Sequence, residues 1–255
     1  MKTAALTAVY NCEQYVIQSL CASGDFDEVM VWDDCSTDLS HGLVQEYARL
    51  TEGDIRRPRI RLERSHSHLG QTVTKLAMVS AIDADAICFT DADDWRLPNT
   101  LAHQIKVLEA GADVAIAPVL RDSNHTLIQS PANPWAMIYQ ASFASIGLLF
   151  RTSAVLNIMA EWFDKRHPPL EGAIELQLLT ELLLKGAVFA WSPSPVAVCR
   201  DRWSPNQAHL RSGPVRQLCR QRLLACAPDS VRHYLLALDP APQQKRNSDR
   251  LNKRG

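Results

Sequence analysis

The chain has 255 residues, 46 % of them apolar and 22 % charged, with a net charge of −1. This is enough to bury the core of one large domain or two small ones, and it is too apolar for a disordered chain. No stretch approaches the roughly 20 apolar residues that span a bilayer, and no basic excess points to nucleic acid. The charge is uneven: from His209 to Gly255 there are ten Lys/Arg against three Asp/Glu, a local +7.

The elements follow in chain order. Ala4–Val9 predicts a strand, and Tyr10-Asn11 turns it into a helix from about Glu13 to Ala22. Glu28–Trp32 predicts a second strand, which runs into Asp33-Asp34-Cys35-Ser36-Thr37-Asp38. A helix over His41–Leu50 takes Ser40 as its N-cap. Arg59–Leu62 is a short strand, and Gly70 opens a helix to about Ile82. Ala86–Thr90 is a strand that delivers Asp91-Ala92-Asp93-Asp94. Pro98 suits the first turn of a helix ending at Glu109, and Asp113–Pro118 is a fifth strand.

Residues 121–142 read as a loop or hairpin, Ser145–Phe150 as a strand and Ser153–Phe163 as a helix. After a break at Lys165-Arg166-His167-Pro168-Pro169, an apolar helix runs from Glu171 to Lys185 with Gly186 closing it. Short strands follow at Val188–Trp191 and Val196–Cys199, then helices at Pro214–Cys226 and Ser230–Leu238. From Pro240 the chain is basic, lacks apolar periodicity and is expected to be disordered. Seven cysteines without a Cys-x-x-Cys, several of them in apolar runs, predict reduced thiols and a cytoplasmic protein. The first residues lack a signal-peptide cleavage pattern.

Strands alternating with helices predict an α/β fold with a mostly parallel central sheet. Both acidic clusters then sit at the carboxyl ends of strands, the edge where open α/β sheets bind ligands. Carboxylates crowded there repel one another unless a cation arrives, and a hard divalent ion carrying a polyphosphate fits that need.

Tyr10-Asn11, Asp33-Asp34-Cys35-Ser36-Thr37-Asp38, Leu69-Gly70 and Asp91-Ala92-Asp93-Asp94 followed by Pro98 occur in the order found in family 2 glycosyltransferases. The first 110 residues resemble the nucleotide-sugar-binding half of that family. The resemblance implies a GT-A, Rossmann-like fold over 1–208, with a donor half at 1–118 and an acceptor and catalytic half at 119–208. A helical extension at 209–239 and a basic tail at 240–255 would follow. It implies inverting transfer from a nucleoside-diphosphate sugar with Mn²⁺ or Mg²⁺, the metal on Asp93 and Asp91. Asp91 would also face the ribose, Asp34 would read the base, Tyr10 would pack near it and Lys75 would lie against base or phosphates.

In the family the base is the Asp of a Glu-Asp pair eleven residues before a helix-ending Gly. Counting back from Gly186 gives Glu175, preceded by Ile174, with Glu171 as second candidate. A further departure puts Arg202 where relatives carry a His, and a guanidinium there suits a diphosphate. Asp33 and Asp38 also admit a local role, as turn or cap acceptors. Two competing readings are a sugar-1-phosphate nucleotidylyltransferase, which needs a Gly-rich phosphate loop that this chain lacks after its first strand, and an inactive sugar-nucleotide-binding module.

The resemblance implies a glycan or lipid-linked acceptor and a place in bacterial surface polysaccharide synthesis. The basic C-terminal segment, with Arg216, Arg220 and Arg222 beside Val215, Leu218 and Leu223, adds an expectation of peripheral contact with the inner face of a membrane.

Overall fold

A computed structural model describes residues 1–164, 169–200 and 213–238. The amino-terminal half alternates strand and helix: β1 (Thr3–Val9), α1 (Val16–Ala22), β2 (Glu28–Asp33), α2 (Ser40–Thr51), β3 (Arg59–Arg64), α3 (Gln71–Ala81), β4 (Ala86–Asp91), β5 (Trp95–Arg96) and α4 (Leu101–Glu109). Then come β6 (Val114–Ile116), β7 (Val119–Arg121), β8 (Leu127–Ile128), α5 (Pro134–Gln140), β9 (Leu148–Arg151), α6 (Thr152–Asp164), α7 (Ile174–Leu184), β10 (Phe189–Trp191) and β11 (Ala197–Cys199). Two further helices, α8 (Pro214–Cys226) and α9 (Asp229–Ala237), follow.

The main sheet has seven strands in the order β10-β6-β9-β4-β1-β2-β3. All its neighbours pair in parallel except β9, which runs antiparallel between β4 and β6. Both faces are covered, which is why β1 and β4 read as unbroken apolar runs. Ala4, Leu6, Ile87 and Phe89 face one core, and Ala5, Val9, Ala86 and Cys88 face the other.

Several expected boundaries move, each for a local reason. The strand expected over Asp113–Pro118 is the shorter β6, and β7, which was not expected, follows it in a second sheet of order β5-β11-β7-β8. The chain changes sheets at Ala117-Pro118, where proline cannot donate to a ladder. Residues 121–142 contain the β7–β8 hairpin and also α5, whose start is set by Asn133 accepting from the N–H groups of Trp135 and Ala136, with Pro134 in the first turn. Ser40 is not an N-cap but the first residue of α2, and its Oγ accepts from the Cys12 N–H at 2.8 Å instead. Pro98 lies ahead of α4, whose Thr100 N–H is met by Asp25 at 3.0 Å. Ser145–Gly147 is a 3₁₀ turn leading into β9. The break at 165–168, Arg202 and the tail from 239 on lie outside the described residues.

The C-terminal helices share the main core: Leu223 and Leu235 are fully buried and join the cluster that covers one face of the sheet. Arg216 and Arg220 donate to the Gln140 and Tyr139 carbonyls at 2.8 and 2.9 Å, and Arg222 pairs with Glu181. These three arginines, expected beside an interfacial helix face, hold α8 against α5 and α7.

One buried cation lies where the two sheets meet. Arg96, 2 % exposed, donates to the Ile146 carbonyl at 3.0 Å and to Gln104 at 2.7 Å, and lies 5.2 Å from the Phe26 ring. Gln104 in turn donates to the Gly147 carbonyl at 2.9 Å. Arg96→Met would leave two buried acceptors unmet, each worth about 1–3 kcal/mol. Urea unfolding is expected to show a loss of about 3 kcal/mol by the same reckoning; a loss under about 1 kcal/mol would show that the network does not join the sheets.

Candidate functional site

The two acidic clusters lie side by side because β1, flanked by β2 and β4, brings their ends together. After β1 the chain passes through Asn11 in a left-handed conformation (φ 53°). The Asn11 side chain accepts from the Thr37 N–H at 2.9 Å, and its own N–H meets Ser36 Oγ at 3.0 Å. Asp38 takes the N–H groups of Ser40 and Glu13 at 2.9 and 3.1 Å. Slight desolvation would raise its pKa, but the bonds from Ser40 and Glu13 outweigh it and hold the carboxyl below its ordinary value. Asp33 is buried with Arg64 Nε at 3.1 Å, His41 Nδ1 at 3.3 Å and the Ser36 N–H at 3.1 Å. These two aspartates act locally, tying the β1–α1 and β2–α2 turns together.

Asp34 does something different. It is 3 % exposed, and its two oxygens accept the N–H groups of Leu69 and Gly70 at 2.8 and 2.9 Å. His68 Nδ1 lies 2.9 Å from the same carboxylate, and the His68 ring packs on Tyr10 with centroids 4.2 Å apart. Gly70 has φ 89°, a backbone that favours glycine, and a Cβ there would meet the Glu171 carboxyl at 2.9 Å and push it aside. The Glu171 oxygens each lie 3.3 Å from the Thr72 N–H. Glu171 thus caps α3, a favourable place for a carboxylate at a helix N-terminus.

The second cluster is organised by α3. Gln71 and Lys75, one turn apart, both donate to Asp91 Oδ1 at 3.2 Å. Lys75 Nζ also sits 2.5 Å from Glu175 Oε1, in the first turn of α7. Lys75 is 1 % exposed and is no solvated surface residue. Burial would lower its pKa; Asp91 and Glu175 more than reverse that and hold the ammonium charged, well above its usual range. Gly186 ends α7 as expected: its N–H and that of Ala187 return to the Leu183 and Leu182 carbonyls at 3.0 Å.

Asp94 is buried, and the Arg200 N–H donates to its Oδ1 at 2.8 Å. Burial first, then the charges of Asp91 and Asp93, push its carboxyl up to about 8. Arg200 also donates to the Asp93 carbonyl at 3.2 Å and to Gln18 at 3.0 Å, and lies over the rings of Tyr15 and Trp95 at 4.3 and 5.0 Å. It clamps the end of β11 onto the acidic turn. The sequence reading passed over His68 and Gln71. Their only signal is position: His68 stands two residues before the glycine that Asp34 binds, and Gln71 one turn ahead of Lys75 on α3.

Among the described residues no three His, Cys, Asp or Glu side chains stand together as a ready metal site. The donor set still fits a hard cation. Asp91, Asp93 and Asp94 offer only oxygens, the donors a hard cation prefers. Mg²⁺-type sites often use one or two carboxylates and complete their shell with substrate phosphates. A surface cavity of about 620 Å³ lined by Arg49, Arg57 and Ile60 opens instead at the amino end of β3, the opposite edge of the sheet.

Residues 5–155 match the family model described as Glycosyl transferase family 2. A search of curated proteins finds no match. Among solved structures, S. aureus TarS residues 1–349 in complex with UDP-GlcNAc superposes with a TM-score of 0.70 at 18 % identity, over 93 % of this chain and 71 % of that one. The same TarS fragment with UDP gives 0.68 at 19 % identity, over 93 % and 70 %. A longer S. aureus TarS chain also gives 0.68 at 18 % identity, over 93 % of this chain and 42 % of that one. At this identity the likeness establishes the fold.

Because the folded state raises the Asp94 pKa from 3.8 to about 8, it favours the protonated acid. The stability this contributes is complete below about pH 4 and is lost as pH rises through about 8. In EDTA, the melting temperature of the unaltered protein is expected to fall across that window, and Asp94→Asn is expected to flatten the fall. Parallel curves for the two proteins would show that Asp94 does not carry the pH dependence.

Proposed function

The chain belongs to glycosyl transferase family 2, and from that premise we propose that it transfers a sugar, with inversion, from a nucleoside-diphosphate sugar to an acceptor hydroxyl. The observation that carries this reading is the shared ammonium of Lys75. It holds a carboxylate from the first half of the chain, Asp91, and one from the second half, Glu175, against the same atom. A donor carboxylate and a base need that proximity, because transfer joins two substrates at one carbon.

In this reading the nucleobase lies by Tyr10, His68 and Asp34. The Asp34 carboxylate has lone pairs beyond those used by Leu69 and Gly70, so it accepts a base N–H without releasing α3. Asp91 faces the ribose and, with Asp93, holds Mn²⁺ or Mg²⁺. When bound, that ion acts as a Lewis acid that neutralises charge on the departing diphosphate. Glu175 takes the proton of the acceptor hydroxyl as its oxygen attacks the anomeric carbon, and the bond to diphosphate breaks with its electron pair leaving on the diphosphate. Glu171 is the weaker choice of base, since its carboxylate is spent on the α3 N-terminus. Arg202 is proposed as a diphosphate contact on its charge and its place in the sequence.

A glycan or lipid-linked acceptor, and work in bacterial surface polysaccharide assembly at the cytoplasmic side of a membrane, complete the proposal and rest on the family. Among the described residues no helix is long and apolar enough to cross a membrane. Arg216 and Arg220 are spent on the α5 carbonyls, so the peripheral membrane contact proposed for the basic C-terminal segment falls to its other basic residues.

Thermal shift with UDP, GDP, UDP-GlcNAc, UDP-glucose, UDP-galactose and GDP-mannose, each with Mn²⁺ or Mg²⁺, tests donor binding. A ligand at 100 times its Kd adds about 2.7 kcal/mol of stability. Asp93→Ala is expected to fold and to lose the metal-dependent part of that shift; an undiminished shift would move the metal elsewhere.

Glu175→Gln is expected to lower turnover by about 10²–10⁴-fold and to leave donor affinity nearly unchanged. Wild-type turnover in Glu175→Gln, together with a slow Glu171→Gln, would transfer the base role to Glu171.

A further inference from the structure

Lys75 stands out among the charged groups of the site. It is almost fully enclosed, on a helix whose Thr72, Thr74, Leu76, Met78 and Val79 are buried too. Its bonds reach partners 16 and 100 residues away in sequence. The Phe89 ring lies 5.6 Å from Nζ. A buried ion pair gains little over well-packed apolar side chains of the same volume, so packing alone does not call for a lysine here.

The atoms it leaves open are informative. Among the described residues, the side-chain bonds to Asp91 both fall on Oδ1 and the one to Glu175 falls on Oε1. Asp91 Oδ2 and Glu175 Oε2 take none of these bonds. Glu has one more rotatable bond than the Asp usual at this place in the family, and an untethered Glu175 would spread over several rotamers.

We propose that Lys75 is a positioning residue that acts through Glu175. It fixes Oε1, leaves Oε2 to receive the acceptor proton, and ties that carboxylate to the donor side through Asp91. The inference rests on the transfer reaction proposed above. It assigns Lys75 an effect on turnover and not on donor affinity, because a base held out of line by about 1 Å can cost roughly 10²-fold in rate.

The test is steady-state kinetics of the full chain, with turnover of UDP-GlcNAc, UDP-glucose, UDP-galactose and GDP-mannose read as release of nucleoside diphosphate. Lys75→Met is expected to lower kcat by about 10²-fold and to leave KM for the donor within about twofold. In the Glu175→Gln background the same change is expected to cost less than about threefold, because two residues acting as a unit do not lose rate additively. A raised KM at unchanged kcat would make Lys75 a donor contact and overturn the proposal. Losses that multiply in the double variant would make its role independent of Glu175 and overturn it as well.

If Lys75→Met does not fold, Lys75→Arg decides the matter. It keeps the charge but displaces it, and kcat is expected to drop about tenfold at constant KM; full kcat or a raised KM overturns the proposal. A slow Glu175→Gln beside a fast Lys75→Met sinks this inference alone. Wild-type rates in Glu175→Gln, or no turnover of any donor by the unaltered chain, sink the functional reading and this inference with it.

Discussion

Negative charge gathered at one edge of a sheet has to be compensated, and in this protein one short stretch of chain does most of it. Residues 69–75 meet four carboxylates. The N–H groups of Leu69 and Gly70 take Asp34, the Thr72 N–H takes Glu171, Gln71 and Lys75 take Asp91, and Lys75 also takes Glu175. The start of α3 is therefore where the two halves of the chain are joined electrostatically. Gly70, with its positive φ, makes the junction possible. Asp93 and Asp94 take no bond from this stretch, and burial first, then the charges of Asp91 and Asp93, raise the Asp94 pKa.

Much of the fold was legible because the strands of a parallel sheet are buried on both faces. Ala4–Val9 and Ala86–Thr90 show this as continuous apolar runs, and the acidic residues mark where they end. The count back from Gly186 lands in the first turn of α7 because that helix is regular and closes with a glycine, where two N–H groups return to the last turn. Elements of two or three residues, such as β5 and β8, carry too little periodicity to read, and the second sheet was missed with them. Helix α5 was announced by Asn133-Pro134, a cap and first-turn pair hidden inside a segment rich in polar residues.

The site was less legible than the fold, for a different reason. Residue type suggests what a side chain can do, but not which of two nearby partners it meets. Lys75 was expected against base or phosphates, and its burial between two carboxylates was not legible because those partners lie 16 and 100 residues away. Glu171 and Glu175 are one helical turn apart in sequence and look equivalent, yet one caps α3 and the other meets a buried ammonium. Arg216, Arg220 and Arg222 beside apolar residues resemble an interfacial face, but the carbonyls and the carboxylate that receive them belong to the body of the protein. In each case the partner is remote in the chain.

The most direct measurement is a crystal structure of the protein with Mn²⁺ and UDP, with the manganese located by its anomalous signal. The account predicts one manganese peak at the Asp91–Asp93 turn bridging to the diphosphate, the uracil beside Tyr10 and Asp34, and Lys75 still bonded to Glu175. A diphosphate bound at the amino end of β3, or manganese away from the second acidic cluster, would contradict it.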